Sequence, residues 1–353
     1  MDTTHEQNPV VVSAIRATGN LHIGNYFGAI RYFQEYQDKP NHRCFYFIAN
    51  LHSLTTEFDP NVMKREIYNI VKTFIACGID PTKSTIFAQS SVPETCELSW
   101  LLSCLTPLND LSTMPHFQEK REQLRRKLGL DASDETSKTE KDTTNAGLLT
   151  YPVLMAADIL GPLGTIVPVG NDQLPHVELT RELARRFNRQ FGEFFPLPVG
   201  SVGDNIRVPS LTGDGKMGKS EASGTIALGD NEQTIQERFR PAPTDPNRVR
   251  RSDPGNPSNC KIFTYHHLVS SATEIGWAQD GCMNAKIGCV ECKKVAAHNL
   301  ATILAPVREK LHDMKSVSDH DIDDILHTGG LKAREVIADT VEKVKEMMGV
   351  RKF

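Results

Sequence analysis

Short runs of buried-type residues alternate with helical patterns over the first 100 residues, and this alternation constrains the fold more than any other feature. Val10–Ile15, Cys44–Ala49 and Ser84–Ala88 are short, apolar and rich in β-branched or aromatic residues, which is typical of buried strands. Helical periodicity begins near Ile23 and again at Val62–Ile75, between those runs. Strands that alternate with helices predict an α/β fold with a parallel sheet.

The rest of the chain divides into regions of different composition. Residues 119–145 are highly charged, which predicts a helical first half and a loop in the second half. Regular α/β patterning resumes at Gly147, with a strand at Thr165–Val169 and a helix from about Gln173 to Phe187. Several prolines between residues 241 and 257 indicate a linker, and helical stripes follow it. We expect two domains, 1–210 with a charged insert at about 119–146, and 211–353.

The composition narrows the class of protein. The chain has 353 residues, 39% of them hydrophobic and 24% charged, as in ordinary globular proteins. It shows no apolar run of the roughly 20 residues that cross a membrane, and no basic, apolar leader, so we expect a cytoplasmic protein. Because the net charge is −4, any nucleic-acid contact must use a local basic patch.

A strand, a glycine-containing turn and a helix start follow one another at the first predicted strand. Thr18 and Gly19 follow the strand, and His22, Gly24 and Asn25 lie at the helix start. Open α/β sheets bind nucleotides at such places, because the N–H groups and dipole of a helix start suit phosphate. Gly24 would let a flat base lie against the backbone, and His22 and Asn25 would donate hydrogen bonds to phosphates. Four such residues also arise by chance.

A second candidate phosphate-binding segment lies downstream, at Lys216-Met217-Gly218-Lys219-Ser220. Two lysines three residues apart, in a loop near glycines, can swing onto a polyphosphate. Taken alone, the segment is more typical of a solvated turn.

Together these segments resemble the HIGH and KMSKS elements of class I aminoacyl-tRNA synthetases, in the same order and at the wide separation that the family shows. Between them, Gly170-Asn171-Asp172-Gln173 resembles the GxDQ segment that tryptophanyl- and tyrosyl-tRNA synthetases share. The longer string from Val167 to Asn188 is similar to the tryptophanyl family over its whole length. The resemblance extends from the first strand through the Lys216–Ser220 segment, and it covers the helical tail only weakly.

This resemblance implies an activity and a set of partners. We expect a Rossmann-like catalytic domain and a helical anticodon-binding domain in a homodimer. The expected reaction activates L-tryptophan with ATP and Mg²⁺ to tryptophanyl-adenylate and then transfers tryptophan to tRNA(Trp). No protein nucleophile is required, since the substrate carboxylate attacks the α-phosphorus and the protein supplies position and charge.

The resemblance also assigns roles to residues. The residues expected to act in catalysis are His22, Asn25, Lys216, Lys219 and Lys120. The residues expected to bind ATP are Arg16, Thr18, Gly19, His22, Gly24, Asn25, Gly170, Asp172, Lys216, Met217 and Lys219. Lys120 borders the charged insert and could equally be a solvated lysine. Gly218 stands where the family usually has serine, so one hydroxyl contact to ATP would be missing while both lysine charges are kept.

The amino-acid preference depends on the segment from Tyr151 to Asp158. Met155 and Asp158 are three residues apart and share a face of a helix. A buried Asp is costly unless it accepts a hydrogen bond, and the indole N–H of tryptophan is a suitable donor. Tyrosyl enzymes typically carry Gln at the Met155 position, so Met favours indole. The residues expected to bind tryptophan are His52, Tyr151, Met155, Asp158, Val167, Val169 and Gln173.

Four of the eight cysteines cluster in the tail, at Cys260, Cys282, Cys289 and Cys292. Such a set can hold Zn²⁺ or an iron–sulfur cluster, and the spacing does not separate the two. A subset of bacterial tryptophanyl-tRNA synthetases carries a 4Fe-4S cluster on similarly spaced cysteines, so the resemblance favours 4Fe-4S over Zn²⁺. The remaining cysteines, in apolar segments, are expected to be buried; they are Cys44, Cys77, Cys96 and Cys104.

Three other functions compete with this interpretation. A tyrosine-specific synthetase is disfavoured by Met155. A nucleotidylyltransferase shares the phosphate-binding logic but does not explain the Gly170–Gln173 segment or the helical tail. A non-catalytic paralogue would have no need of His22, Lys216 and Lys219. The linker arginines Arg248, Arg250 and Arg251 are candidate tRNA contacts, or simply a solvated basic loop.

Overall fold

The computed structural model describes residues 8–17, 19–56, 58–127, 145–202, 208–212, 217 and 224–350. Its strands are β1 Val10–Ile15, β2 Arg43–Ile48, β3 Ser84–Ala88, β4 Ile166–Pro168 and β5 Val199–Ser201. The helices of the first half are α1 Ile23–Asn25, α2 Arg31–Gln37, α3 Asn50–Ser53, α4 Pro60–Ala76, α5 Glu94–Ser103, α6 Leu108–Ser112, α7 Pro115–Lys127, α8 Ala146–Leu160 and α9 Leu174–Phe191. Those of the second half are α10 Glu232–Phe239, α11 Lys261–Val269, α12 Ala272–Met283, α13 Cys289–Asp313 and α14 Asp319–Met347.

The five strands of the described residues form one parallel sheet in the order β3-β2-β1-β4-β5. The sequence pattern therefore predicted the fold class correctly. The chain proceeds from β1 toward β3 on one side and from β4 to β5 on the other, so the order reverses between β1 and β4. In open parallel sheets, ligands bind at the carboxyl ends of the strands beside such a reversal.

Strands β1, β2 and β3 are mostly buried on both faces of the sheet; successive side chains of a strand point in opposite directions, and both sets are covered. On β1, Val11 joins one apolar core, while Val10 and Val12 join the other. Burial on both faces explains why the predicted strands are continuous apolar runs rather than alternating patterns.

Element bounds agree with the sequence pattern to within a few residues. A short π-helical segment, Tyr26–Ile30, joins α1 to α2, and Ile23, Phe27, Ile30 and Phe33 are buried along one side of this helical run. The first part of the charged insert is helical in α7, and its remainder, 128–144, lies outside the described residues. Within the proline-rich linker, the described structure is irregular up to a short 3₁₀ turn at Pro257–Asn259.

The last helix, α14, returns from the tail and packs on the edge strand β3. A Cβ atom at Gly329 would lie 1.8 Å from the carbonyl oxygen of Ile86, and one at Gly330 would lie 3.0 Å from the Cβ of Ser91. Only glycine permits so close an approach between a helix and a strand. The tail predicted as residues 211–353 therefore shares packing with the sheet.

Two of the four cysteines expected in the core are instead on the surface. Cys44 and Cys77 are buried, but Cys96 and Cys104 are exposed. On α5 the buried positions include Leu98 and Leu102, so the positions at 96, 100 and 104 follow the outward face. The expectation was wrong for these two because an apolar neighbourhood does not define which way a helical residue points.

Among the described residues, no helix is long and apolar enough to cross a membrane.

Candidate active site

The first candidate nucleotide-binding segment lies where β1 leads into α1. The Nδ1 atom of His22 accepts a hydrogen bond of 3.1 Å from the backbone N–H of Gly24, and the Oδ1 atom of Asn25 accepts one of 3.1 Å from the backbone of His22. Because Nδ1 of His22 accepts, the proton of the neutral ring lies on Nε2, which is then a donor. A Cβ atom at Gly24 would lie 2.8 Å from Cε1 of His22, so the glycine makes room for the histidine ring.

The turn before this helix is shaped by Gly19. Its φ of +67° lies in the left-handed region that favours glycine. Its backbone N–H donates a 2.8 Å hydrogen bond to the Oε1 atom of Glu66 on α4. The Gly19 amide predicted to face phosphate therefore has a protein acceptor in this structure. Thr18 lies outside the described residues.

The second candidate segment meets the first through Met217. Met217 is buried, its N–H donates to the carbonyl oxygen of Val208 at 3.0 Å, and a Cβ atom at Gly24 would lie 3.9 Å from its Cβ. Just beyond this segment, the N–H of Ile23 donates to Ile226 at 3.0 Å. The structure thus brings together two segments that are far apart in sequence. Lys216, Gly218 and Lys219 lie outside the described residues.

The Gly170–Gln173 segment follows β4, next to the end of β1. Asn171–Gln173 form one 3₁₀ turn, and the exposed carboxylate of Asp172 accepts a 3.1 Å hydrogen bond from Nε2 of Gln173. A Cβ atom at Gly170 would lie 2.9 Å from Oδ1 of Asp172, so this glycine makes room for the carboxylate.

Asp158 is buried at 6% exposure and already has two protein donors. Nε2 of Gln89 donates to both carboxylate oxygens, at 2.8 and 2.9 Å, and Nε2 of His52 lies 2.8 Å from Oδ2. Burial raises the pKa of Asp158, and these two partners oppose the increase. Burial of Asp158 therefore does not by itself require an indole donor, because the protein already provides hydrogen bonds to both carboxylate oxygens. A carboxylate accepts about four hydrogen bonds, so a ligand donor can still be added.

Gln89 was not predicted from the sequence, although it organises this group. Its Oε1 atom also accepts from the backbone N–H groups of Leu51 and His52, at 3.1 and 3.4 Å. Gln89 therefore joins the ends of β2 and β3 to Asp158 on α8. Its place directly after β3, at the carboxyl end of a parallel strand, was the available signal.

Three apolar residues predicted to line an indole pocket lie in one cluster. Met155 and Val169 are half-buried and pack against buried Val167, with Ile159 and Val177 behind them. The cluster joins α8, β4 and α9, one helical turn from Asp158.

Tyr151 lies between two histidines that the sequence did not single out. Its hydroxyl is 3.0 Å from Nδ1 of His116 and 2.5 Å from Nε2 of His176. Burial and then the nearby positive charges of Arg16 and Lys120 lower the pKa of His116, so these two predicted residues lie around the same group. The Nζ atom of Lys120 donates to Gln123 at 3.1 Å.

The four tail cysteines are close enough to interact electrostatically. Burial, and to a lesser extent the neighbouring thiols Cys260, Cys282 and Cys289, raise the pKa of Cys292 to about 12. Among the described residues, no group of three or more His, Cys, Asp or Glu side chains is arranged to hold a single metal ion. A tetrahedral zinc site requires four ligands within about 2.3 Å of one ion. A 4Fe-4S cluster has a different requirement, because its four thiolates each bind a separate iron atom and stand further apart.

Arg248 is buried beside these cysteines rather than in a solvated loop. Its Nη1 atom is 3.7 Å from Sγ of Cys282 and 3.9 Å from Sγ of Cys289. On the other side, Nε2 of His266 is 3.2 Å from Sγ of Cys292. The Nε atom of Arg248 is buried without a partner among the described residues. Four thiols, a buried guanidinium and an unsatisfied N–H suit an anionic thiolate-bound group, because that group would supply the missing negative charge and acceptor.

Comparison with known proteins agrees with this geometry. The family described as tRNA synthetases class I (W and Y) matches residues 4–305. Tryptophan–tRNA ligases of Thermotoga maritima and Deinococcus radiodurans are 41% and 37% identical to the chain, cover 96% and 97% of it, and are themselves covered to 99%. A Campylobacter jejuni tryptophanyl-tRNA synthetase, solved with ADP and tryptophan, has a TM-score of 0.76 at 33% identity, with 96% of this chain and 99% of that chain covered.

The chain therefore belongs to the class I tRNA synthetases for tryptophan and tyrosine. Its full-length similarity to the two ligases places it in the tryptophan branch of that family.

Proposed function

We infer that the carboxyl ends of β1 and β4 form the active site of a tryptophan–tRNA ligase. The chain activates L-tryptophan with ATP and transfers tryptophan to tRNA(Trp). The observation that carries this conclusion is the proximity of Gly24 to Met217, which brings the two candidate phosphate-binding segments together near the point where the strand order reverses. Amino-acid-dependent exchange of pyrophosphate into ATP tests it. Exchange with tryptophan is expected, and exchange with tyrosine or with no amino acid would contradict it.

ATP with Mg²⁺ occupies the β1 side of the site in this proposal. Nε2–H of His22 donates to the α-phosphoryl group, and the lysines at 216, 219 and 120 neutralise the leaving pyrophosphate. Arg16, Asn25 and the Gly170–Asp172 turn contact the rest of the nucleotide. The enzyme accelerates the reaction mainly by holding the carboxylate in line with the α-phosphorus.

Tryptophan occupies the α8 side. Its indole ring lies against Met155, Val167 and Val169, which share one cluster. Its indole N–H donates to Asp158, which keeps acceptor capacity beyond its bonds to His52 and Gln89. Tyr151 and Gln173 bind the α-ammonium end.

The role of Asp158 has a specific test. Asp158→Asn is expected to lower kcat/KM for tryptophan, with a loss of transition-state stabilisation of about 1–3 kcal/mol. The reason is that a charge-assisted hydrogen bond becomes a neutral one. The same change should hardly affect the already poor activity with N1-methyltryptophan, which has no indole N–H. Equal losses with both substrates would contradict a direct bond.

We also propose that Cys260, Cys282, Cys289 and Cys292 bind a 4Fe-4S cluster, with Zn²⁺ as the alternative. The close approach of Arg248 and His266 to three of these sulfurs supports a thiolate-bound group. The group would stabilise the packing of α11, α12 and α13, and adenylate formation needs no electron from it. Iron and sulfide analysis after anaerobic purification tests the proposal. Four iron atoms and four sulfides per chain are expected, and one zinc without iron would contradict the cluster.

A homodimer is proposed from an exposed apolar surface. Leu54 is 46% exposed and lines an open cleft of about 260 Å³ between α3, α5 and α8, and Trp100 on α5 and Leu108 on α6 are 70% and 69% exposed. An apolar surface of this kind marks an interface, and a second copy is the occupant that the family resemblance implies. Trp100→Glu should give monomers in sedimentation, whereas Val199→Glu, on the edge strand β5 and at a position that is 58% exposed, should leave the dimer intact. A monomeric parent would contradict the proposal.

The helical tail, residues 211–353, is proposed to bind the anticodon of tRNA(Trp) in the cytoplasm. Arg250 and Arg251 are exposed and are candidate contacts to phosphate, whereas Arg248 is buried and is not. Arg250→Gln is expected to raise the KM for tRNA and leave pyrophosphate exchange unchanged.

A further inference from the structure

The hydroxyl group of Tyr151 is fixed by two histidines, one on each neighbouring helix. His116 lies in the first turn of α7 and His176 in the first turn of α9. Both contact the same hydroxyl, at 3.0 and 2.5 Å. Without such partners a tyrosine hydroxyl rotates freely and hydrogen-bonds to water. Here its position and the direction of its hydrogen are determined by the protein.

The proton count shows what the group can offer a ligand. Burial is the main cause that lowers the pKa of His176 to about 4 and that of His116 below its usual range, so both rings are neutral near pH 7. The hydroxyl has one hydrogen and donates it to one ring, so the other ring must donate to the hydroxyl oxygen. That oxygen keeps one more lone pair. It is therefore an oriented acceptor for a cationic donor.

His176 also connects this hydroxyl to the turn that carries Gln173. The two residues are three apart, and Gln173 begins the helix in which His176 lies. The backbone of Gln173 is close enough to raise the pKa of the ring slightly, although no well-formed hydrogen bond joins it to Nδ1 of His176. The buried ring thus lies between the hydroxyl of Tyr151 and the backbone of Gln173, the two residues assigned above to the α-ammonium group.

We propose that His176 is a positioning residue that holds Tyr151 and Gln173 in register to bind the α-ammonium group of tryptophan. The proposal rests on the proposed function. It assigns His176 to one end of the substrate and predicts no effect on recognition of the indole ring. His116 supports the same hydroxyl from α7.

The test compares three ligands that share the indole ring. Dissociation constants are measured without ATP for tryptophan, for tryptamine, which keeps the ammonium group, and for indole-3-propionate, which lacks it. His176→Phe keeps a ring of similar size and removes the hydrogen bond. This variant is expected to raise the dissociation constants of tryptophan and tryptamine about tenfold, the effect of losing one hydrogen bond to a charged group. The dissociation constant of indole-3-propionate should stay within twofold of its parent value.

Two further variants separate positioning from packing. His176→Gln can restore a polar atom near Nε2 and should recover most of the lost affinity for tryptophan. Leu179→Ala loosens the packing of the same helix at a buried position, and it should change the dissociation constants of all three ligands by the same factor. Equal weakening of all three ligands by His176→Phe, or no weakening of tryptophan, would overturn the proposal. A parent protein that binds tryptophan but shows no pyrophosphate exchange would instead count against the proposed function.

Discussion

Gln89 offers the most direct test of the hydrogen-bond network around Asp158. The side chain is 1% exposed, donates to both oxygens of Asp158, and accepts from the backbone of Leu51 and His52. Gln89→Leu keeps a similar volume but removes all of these bonds. A hydrogen bond to a buried charge contributes about 1.5–3 kcal/mol, and each unsatisfied N–H costs about 1 kcal/mol. We therefore expect a loss of about 3–5 kcal/mol in the free energy of unfolding.

A double-mutant cycle isolates the part that belongs to Asp158. Asp158→Leu removes the carboxylate to which Gln89 donates. Adding Gln89→Leu to that variant should therefore lower the free energy of unfolding by less than Gln89→Leu does in the parent protein. The expected coupling energy is about 1.5–3 kcal/mol, measured from urea unfolding followed by circular dichroism. The control is the exposed Gln236, whose side chain donates to the surface residue Glu232, and Gln236→Leu should change stability by less than about 0.5 kcal/mol.

Two results would refute this reasoning. Additive losses for Gln89→Leu and Asp158→Leu would mean that the two side chains do not interact in solution. Equal stability of Gln89→Leu and Gln236→Leu would mean that water replaces the lost bonds.

Three other features give further predictions. Gly329→Ala should destabilise the protein by at least about 2 kcal/mol because its Cβ would overlap the carbonyl of Ile86, whereas Gly276→Ala, on α12 with open space around it, should raise the melting temperature. His176 has a folded-state pKa of about 4, below the usual value of 6.5. Its contribution to the free energy of unfolding is therefore complete above pH 6.5 and is lost as the pH falls toward 4. Between pH 6.5 and 4, the variant His176→Gln should therefore lose about 3 kcal/mol less free energy of unfolding than the parent, as measured by unfolding at a series of pH values. The same dependence of stability on pH in both proteins would contradict this. For the proposed 4Fe-4S cluster, Arg248→Gln should lose iron to a chelator several times faster than the parent protein, and Arg250→Gln should match the parent; equal rates for both variants would remove Arg248 from the site.

The features that sequence predicted correctly are those with local causes. Strands β1, β2 and β3 are mostly buried on both faces, so each is a short apolar run that can be recognised without knowing its neighbours. The hydrogen bonds of His22, Gly24 and Asn25 are local as well, since they join residues two or three apart, while the role of these residues in ATP binding stays a prediction. The meeting of Gly24 with Met217 could be expected only from the resemblance to a family.

The features that sequence missed depend on contacts between distant segments. Gln89 is a single glutamine without a motif, and its partner Asp158 is 69 residues away. Arg248 looked like part of a basic loop because Arg250 and Arg251 are close in sequence, but its guanidinium reaches Ile287 and two cysteines of the tail. Cys96 and Cys104 were misplaced because the phase of α5 is set by packing against α8 and α14, which lie later in the chain.

The glycine pair of α14 limits how this protein can be shortened. An edge strand without a covering element has unpaired backbone groups that can recruit a strand from another chain. Here α14, made by the final residues of the described chain, lies against β3, which belongs to the first half of the chain. A catalytic fragment cut after β5 would therefore lose the cover of its own sheet and be prone to aggregate. A minimal version of the enzyme would have to retain α14, joined to the sheet by a designed connection in place of the intervening tail.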